Sequence, residues 1–256
     1  MLELLQDKLD YRHCHLRHFK SNKALGRVAQ TAAVLGVVLG VHVCFGLMTL
    51  YRHVTGTPSD WDGTLMQWCA YMACLSAFHL LEYFATALNQ DDALSDNSFV
   101  VNHSPAYTAA ALASWAEFWL ETGLGRAGYL PFSKMTTALV GLVMVLGGNA
   151  IRFHGMTSCG KNFSHLVMTE RREDHKLVTT GIYSVLRHPA YFGWFYWSVG
   201  TQLLLGNPLC TLAYTVVSWR FFNSRIPFEE SCLERFYGED YAAYRSRTMV
   251  GIPLIH

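Results

Sequence analysis

A long uncharged segment near the N-terminus most constrains what this chain can fold into. Residues 28–50 run for 23 positions without an aspartate, glutamate, lysine or arginine. A helix of about 20 apolar residues crosses the roughly 30 Å hydrocarbon core of a bilayer. The segment is too long for the apolar part of a signal peptide, and it follows a charged arm at residues 1–27. We therefore predict a membrane protein whose first span lies here.

Further apolar segments predict further spans. Residues 65–87, 100–120 and 135–151 follow the first span, and residues 190–205 and 209–222 come later. The last two segments are shorter than an upright span and are separated only by Gly-Asn-Pro, which favours a turn. They therefore predict a helical hairpin, and Gly238 is the predicted helix end in the charged tail that follows. The predicted fold class is all-α, a polytopic membrane helical bundle of about six spans.

Lysine and arginine residues lie in three regions that predict the orientation of these spans. Six precede residue 28, six lie in residues 152–187 and five lie from residue 220 onward, whereas the loops between hold one, none and two. Four spans and then a hairpin separate the three regions, so all three share one face. Cytosolic loops are enriched in lysine and arginine. We predict a basic cytosolic arm at residues 1–27, a four-span membrane domain at residues 28–151, and cytosolic termini.

Overall charge and cysteine usage exclude several classes of protein. The formal net charge is +1, so the charge of the whole molecule does not indicate binding to nucleic acid. The seven cysteines are odd in number, are scattered and form no Cys-x-x-Cys pair, so they predict neither a disulfide framework nor a zinc site. We expect no bound metal.

Two glycine motifs outside the last third were weighed for function. Gly36 and Gly40 form a Gly-x-x-x-Gly pair in the first span, which predicts close approach of another helix. Gly123, Gly125 and Gly128 match Gly-x-Gly-x-x-Gly, but a dinucleotide site requires a preceding strand. Because this motif follows a predicted membrane helix, we interpret it as a turn.

Histidines in two places also invite a functional interpretation. His13, His15 and His18 fit a basic arm at the membrane surface better than a metal site, because no carboxylate or thiolate pattern completes one. His79 and Glu82 lie three positions apart in a predicted span, where ionisable groups are costly. A functional pair and an internal polar pair remain equally open for these two.

The last third differs because both arms of the predicted hairpin are flanked by histidine, arginine, tyrosine and glutamate. An interfacial aromatic belt with solvated charges explains each residue singly, but not their common place on the predicted cytosolic side. Pro189 fits the first turn of a helix and so places Tyr191 within that turn. The residues concerned are the segment 174–197, DHKLVTTGIYSVLRHPAYFGWFYW, with Arg225, Glu229, Glu230 and the segment 236–241, FYGEDY.

This group of residues resembles the isoprenylcysteine carboxyl methyltransferase family. Upstream pieces are also similar, so the resemblance covers roughly residues 50–256. The similar segments are DHKLVTTGIYSVLRHPAYFGWFYWSVGTQLLLGNPLC, WRFF, the Arg-x-x-x-Glu-Glu pattern that begins at Arg225, FYGEDYAAYRSR, Gly-Ile-Pro near the end, and upstream LLEYFATALN, NHS-x-x-YT and ALASWAEF.

The resemblance implies transfer of a methyl group from S-adenosylmethionine to the C-terminal carboxylate of an S-prenylated cysteine. The partners would be CaaX proteins such as small GTPases, in the endoplasmic reticulum membrane. Residues 152–256, including the hairpin 190–222, would form the cytosolic cofactor-binding and catalytic region. Arg225 would be catalytic and hold the substrate carboxylate. The implied cofactor contacts are Met168 (through its backbone, since another side chain is usual there), His175, Lys176, Leu177, Val178, Tyr183, His188, Pro189, Ala190, Tyr191 and Glu229.

The chemistry of a carboxylate acceptor agrees with these residues. A C-terminal carboxylate is ionised at pH 7, with a pKa of about 3.5, so no general base is needed. Arg225 can hold such a group with a bidentate pair of hydrogen bonds. A phospholipid N-methyltransferase would want a base or an acidic neighbour instead. An NADPH-dependent sterol reductase and a non-catalytic membrane scaffold are the remaining alternatives.

Overall fold

The computed structural model describes residues 22–57, 59, 61–89, 94–101, 104–124, 134–173 and 175–256. Within these ranges the chain is helical, and its one β-type pairing is an isolated bridge between Leu186 and Met249. The described α-helices are α1 (Asn22–Val54), α2 (Asp62–Asn89), α3 (Pro105–Gly123), α4 (Lys134–Cys159), α5 (Pro189–Leu205), α6 (Pro208–Tyr237) and α7 (Glu239–Ser246).

The membrane character and the all-α class are confirmed. Three described segments are long and apolar enough to cross a bilayer, namely Leu25–Val54, Asp62–Asn89 and Met135–Asn162. The total of about six spans stays a prediction, since α3 has 19 residues and α5 has 17. Most of the basic arm, with His13, His15 and His18, lies outside the described residues, as do Gly125 and Gly128.

Two helices extend beyond the apolar segments that predicted them. The fourth apolar segment ends at residue 151, whereas α4 continues through Arg152 to Cys159. The charge of Arg152 does not end the helix because its guanidinium is paired inside the protein with Glu82. Likewise, α6 continues past residue 222 to Tyr237, and Gly238, with a φ of 56°, ends it as predicted. The last turns of α6 therefore carry side chains beyond the hairpin's apolar part.

The closest helix packing in the described chain is between α4 and α5. An added Cβ at Gly148 would lie 2.6 Å from the carbonyl oxygen of Gly193, so only a glycine permits this crossing. A spacing of seven residues keeps the glycines of α4 on one face of the helix. The glycines at this contact are Gly141, Gly148 and Gly155 on α4, and Gly193 and Gly200 on α5.

The glycine pair in the first span lies elsewhere. A Cβ added at Gly36 or Gly40 would meet nothing within 4 Å. The predicted close approach therefore does not occur at these glycines in the described chain, and the prediction was wrong on this point. Small residues mark a helix contact only where a partner helix is placed against them, and α1 meets α2 through other positions, among them Val28, Ala32 and Leu35.

The N-terminus of α6 is capped by a side chain from another helix. The carboxylate of Glu117 on α3 accepts hydrogen bonds from the backbone N–H groups of Leu209 and Cys210, each at 2.7 Å. The side chain of Asn207 does not perform this role, because it donates to the carbonyl of Ser114. Glu117 thus ties α3 to the hairpin and satisfies N–H groups that a helix start leaves open.

Replacing Glu117 with alanine should lower the free energy of unfolding by about 1–2 kcal/mol, as removal of a helix cap does. The thermal unfolding midpoint of the purified protein in detergent would measure the loss. Glu117→Gln keeps one acceptor oxygen and should fall between the wild type and Glu117→Ala. An unchanged midpoint for both variants would show that this contact adds nothing to stability.

The C-terminal segment, residues 249–255, packs against the start of α5 and against α6. The backbone N–H of Arg187 donates to the carbonyl of Met249 at 3.0 Å. The indole N–H of Trp219 donates to the carbonyl of Pro253 at 2.8 Å. This segment therefore fixes the turn that precedes α5. The buried apolar residues of this contact are Phe195, Val199, Phe222, Ile226, Val250, Ile252 and Ile255.

Candidate active site

A cavity lies where the start of α5, the far end of α6 and the segment after α4 meet. It encloses about 840 Å³, part of it open to solvent. Each of these three parts of the chain contributes lining residues. All eleven residues that the sequence assigns to a cofactor line this one cavity: Met168, His175, Lys176, Leu177, Val178, Tyr183, His188, Pro189, Ala190, Tyr191 and Glu229. Their contact with a cofactor stays a prediction.

The start of α5 positions the aromatic side of the cavity. Pro189 is the first residue of α5, as predicted, and His188 immediately precedes it. The rings of His188 and Tyr191 stack with centroids 5.4 Å apart and an interplanar angle of 7°. The hydroxyl of Tyr191 donates to the carboxylate of Glu229 on α6. Tyr191 therefore joins the two arms of the hairpin at the cavity.

Arg225 lies beside the cavity, one helical turn before Glu229. Its Nε donates to the Tyr191 hydroxyl at 2.8 Å, and its Nη2 donates to the carbonyl oxygen of His165 at 2.5 Å. Both acceptors are neutral, so these contacts hold the guanidinium without neutralising it. They use Nε and one hydrogen of Nη2, so the edge formed by Nη1 and Nη2 can still take a carboxylate in a bidentate pair.

A buried carboxylate that the sequence did not assign to the site holds its basic residues in place. Oε1 of Glu230 accepts from Nε of Arg187 at 2.5 Å and from Nε2 of His188 at 3.0 Å. Oε2 lies 3.1 Å from Nε of Arg245. Burial alone would raise the pKa of Glu230, but the hydrogen bonds from His188 and Arg187 lower it below its usual value. The signal in the sequence was the second glutamate of the Glu-Glu pair.

Tyrosines that line the cavity use their hydroxyl groups in two ways. Tyr183 donates to the carbonyl of Gly155 at 3.1 Å, and Tyr244 donates to the carbonyl of Tyr183 at 2.8 Å. The hydroxyl hydrogen of Tyr183 is therefore not available to a ligand. The buried hydroxyl oxygens of Tyr237 and Tyr241 have no hydrogen-bond partner within the described part of the chain. Such groups are costly unless a polar ligand or water satisfies them.

Residues 160–173 and 175–178 cover one side of the cavity, and we call them the strap. Arg171 on the strap donates to the carbonyl of Phe236 at 3.1 Å. In return, Arg235 on α6 donates to the carbonyl of Thr169 at 2.7 Å. These two contacts anchor the middle of the strap, where Met168 lies, to the far end of α6.

His79 and Glu82 do not contact each other and do not line the cavity. Nδ1 of His79 lies 2.8 Å from the carbonyl oxygen of Phe99, which can only accept, so Nδ1 carries a proton. Glu82 instead pairs with Arg152 through two contacts of 2.6 and 2.7 Å. The internal polar pair considered from the sequence is therefore not formed, because each of the two residues has a different partner. Metal binding has no support from the described ranges, where no group of three His, Cys, Asp or Glu side chains could hold an ion.

Comparisons with known proteins agree with this architecture. The model of the isoprenylcysteine carboxyl methyltransferase family matches residues 139–235. The protein-S-isoprenylcysteine O-methyltransferase of Xenopus laevis is 44% identical over 232 residues, which cover 90% of this chain and 75% of the relative. The protein of the same name from Saccharomyces cerevisiae is 37% identical over 235 residues, which cover 90% of this chain and 92% of the relative.

A solved structure shares the fold. It is described as the eukaryotic intramembrane Ras methyltransferase ICMT and matches with a TM-score of 0.78 and 39% sequence identity, covering 93% of this chain and 80% of that chain. The fold and the matches together define an integral membrane methyltransferase. The chain belongs to the isoprenylcysteine carboxyl methyltransferase family. Neither a phospholipid N-methyltransferase nor a sterol reductase is favoured by these matches.

Proposed function

We propose that this protein transfers a methyl group from S-adenosylmethionine to the C-terminal carboxylate of an S-prenylated cysteine on CaaX proteins such as small GTPases. The names of the relatives support this substrate class. The observation that carries the proposal is the placement of Arg225 beside the cavity. Two neutral oxygens hold its guanidinium, and the edge formed by Nη1 and Nη2 can bind an anionic substrate.

The residues that line the cavity fit the polar and charged groups of S-adenosylmethionine. Glu229 can accept from hydroxyl or ammonium groups, and the unpartnered hydroxyls of Tyr237 and Tyr241 can donate. The ring of Tyr191 offers an aromatic face that attracts a cation. When bound, S-adenosylmethionine supplies an electrophilic methyl group on a positively charged sulfur.

The residues of the chain orient and desolvate the acceptor rather than transfer protons. The substrate carboxylate is already ionised near pH 7, so no base is required. Arg225 would bind it, and Tyr191 holds Arg225 through the hydrogen bond to Nε. Phe221 packs against the guanidinium, whose central carbon lies 5.6 Å from the ring centroid. Positioning and exclusion of water can together supply most of such a rate enhancement.

The membrane arrangement is part of the proposal. The six spans rest on the apolar segments, the cytosolic termini on the distribution of basic residues, and the endoplasmic reticulum location on the family resemblance. The regions 1–27, 28–151 and 152–256 follow from these three grounds together. The exposed apolar side chains of α1, such as Val37 at 65% and Leu47 at 60%, are suited to contact with lipid. A prenyl chain is nearly insoluble in water, so a membrane enzyme can take it directly from the bilayer.

Transfer of tritiated methyl from S-adenosylmethionine to N-acetyl-S-farnesylcysteine by the detergent-purified protein tests the proposal. Non-prenylated N-acetylcysteine is the control. We expect base-labile label on the farnesylated compound only, since base releases methyl esters. Failure to methylate it, with S-adenosylmethionine still bound, would point to another acceptor, with phospholipid next to be tested. Folded protein that does not bind S-adenosylmethionine at all would refute the proposed reaction.

A further inference from the structure

A buried ion pair joins three helices next to the site. Nε of Arg152 on α4 lies 2.6 Å from Oε1 of Glu82 on α2, and the two side chains are 8% and 3% exposed. The Nη1 group of Arg152 donates to the carbonyl oxygen of Ala190, in the first turn of α5, at 3.1 Å. The pair therefore fixes the start of α5, which carries Tyr191, against α2 and α4.

Glu82 has a second partner on the strap. Nε2 of His165 lies 3.3 Å from Oε2 of Glu82, the oxygen that also faces Arg152. Because a carboxylate accepts hydrogen bonds, His165 donates in this contact. On either side of His165, Leu166 is 77% exposed, whereas Phe163 packs against a buried cluster and its ring centroid lies 5.1 Å from that of His165. The contact with Glu82 and the packing of Phe163 together fix the backbone at His165.

That backbone in turn holds the guanidinium proposed to bind the substrate. The carbonyl oxygen of His165 accepts from Nη2 of Arg225 at 2.5 Å. From another direction, the Tyr191 hydroxyl accepts from Nε at 2.8 Å. Both acceptors are fixed through the Glu82–Arg152 pair, one by way of His165 and the other by way of Ala190. A shift of either acceptor would change where the open edge of the guanidinium points.

We propose that Glu82 and His165 are positioning residues for methyl transfer, which orient Arg225 toward the substrate carboxylate without touching substrate or cofactor themselves. This inference rests on the proposed function, because it assigns these residues to the carboxylate subsite. Displacement of a reacting group by about 1 Å can cost on the order of a hundredfold in rate. A hydrogen bond that fixes the orientation of Arg225 is therefore sufficient to affect catalysis.

The variants His165→Ala and His165→Gln test the inference. His165 is partly exposed, so replacing it carries little risk of misfolding. Loss of the imidazole should reduce kcat/KM for N-acetyl-S-farnesylcysteine about tenfold, and glutamine, which can still donate to Glu82, should restore most of it. The matched control is His154→Ala, an exposed histidine on α4 that should leave kcat/KM unchanged.

If His165 acts through Arg225, replacing His165 should weaken only the binding that involves the substrate carboxylate. Binding of N-acetyl-S-farnesylcysteine should weaken in His165→Ala, whereas binding of its carboxamide and of S-adenosylmethionine should not change. Equal weakening of acid and carboxamide would mean that His165 only stabilises the strap, and would overturn the inference. Unchanged kcat/KM would also overturn it. If the wild type does not methylate the farnesylated compound, the proposed function fails instead.

A second set of variants tests Glu82 itself. Glu82→Leu alone would leave Arg152 buried without its partner, so both are replaced together as Glu82→Leu/Arg152→Leu. This double variant should lose at least as much carboxylate binding as His165→Ala, because it also removes the hydrogen bond from Arg152 to the carbonyl of Ala190. Adding His165→Ala to it should cost nothing further, because the contact is already gone. Additive losses would show that His165 acts independently of Glu82.

Discussion

Arg225→Ala is expected to reduce kcat/KM for a prenylated cysteine by about a hundredfold or more, while the protein still folds and binds S-adenosylmethionine. Loss of one member of a desolvated, hydrogen-bonded charge pair commonly costs about 2–5 kcal/mol. The fold should tolerate the change because Arg225 is only half-buried and its partners are neutral. The hydroxyl of Tyr191 would also keep its bond to Glu229.

Steady-state kinetics of the purified variant would measure this loss, with folding checked by thermal unfolding. Arg220→Ala is the matched control, since Arg220 is an exposed arginine on the same helix. It should retain the activity of the wild type. Retention of more than about a tenth of kcat/KM by Arg225→Ala, a loss of only ~1.4 kcal/mol, would remove Arg225 from the site.

Glu230→Gln is expected to cost about 3 kcal/mol or more in the free energy of unfolding and to weaken binding of S-adenosylmethionine. The substitution keeps the size of the side chain but removes the charge that faces Arg187, His188 and Arg245. Breaking a buried ion pair by neutralising one member leaves the other charge buried and uncompensated. Glutamine keeps one acceptor oxygen for the three basic partners, so the ring of His188 is held less firmly at the cavity wall.

Thermal unfolding in detergent and titration calorimetry with S-adenosylmethionine would measure the two effects. Glu234→Gln is the matched control, because Glu234 pairs with the same Arg245 at 2.7 Å but is 46% exposed. Exposed pairs contribute about 1 kcal/mol or less. Similar small losses in the two variants would mean that the Glu230 cluster does not stabilise the site.

The same carboxylate gives stability a dependence on pH. The pKa of Glu230 is lower in the folded protein than in the unfolded chain, where it is about 4.3. The ionised Glu230 carboxylate therefore stabilises the folded protein fully above about pH 4.3. This stabilisation is lost as the pH falls through the lower pKa of the folded state. As the pH is lowered, the free energy of unfolding should fall more steeply for the wild type than for Glu230→Gln. Parallel profiles would contradict this assignment.

Local features of the sequence determined much of the helical framework. A turn at Gly-Asn-Pro separates α5 from α6, Pro189 begins α5, and Gly238 ends α6, as the sequence predicts. The spacing of Arg225 and Glu229 places both on one face of α6 near the cavity. Such features act within a few residues, through backbone dihedral preferences and the helical period, so they can be seen in the sequence.

Only the tertiary structure decided which polar groups meet. Glu82 and Arg152 are 70 positions apart, and their pairing allows α4 to continue where the apolar segment ends. Glu117 caps a helix that starts about 90 positions later. Arg225 is held by a backbone carbonyl oxygen 60 positions away. Because every residue has a backbone carbonyl, the residue type at that position gives no sign of the contact. These contacts depend on how the helices pack, and packing brings together residues whose separation in the sequence carries no periodic or turn signal.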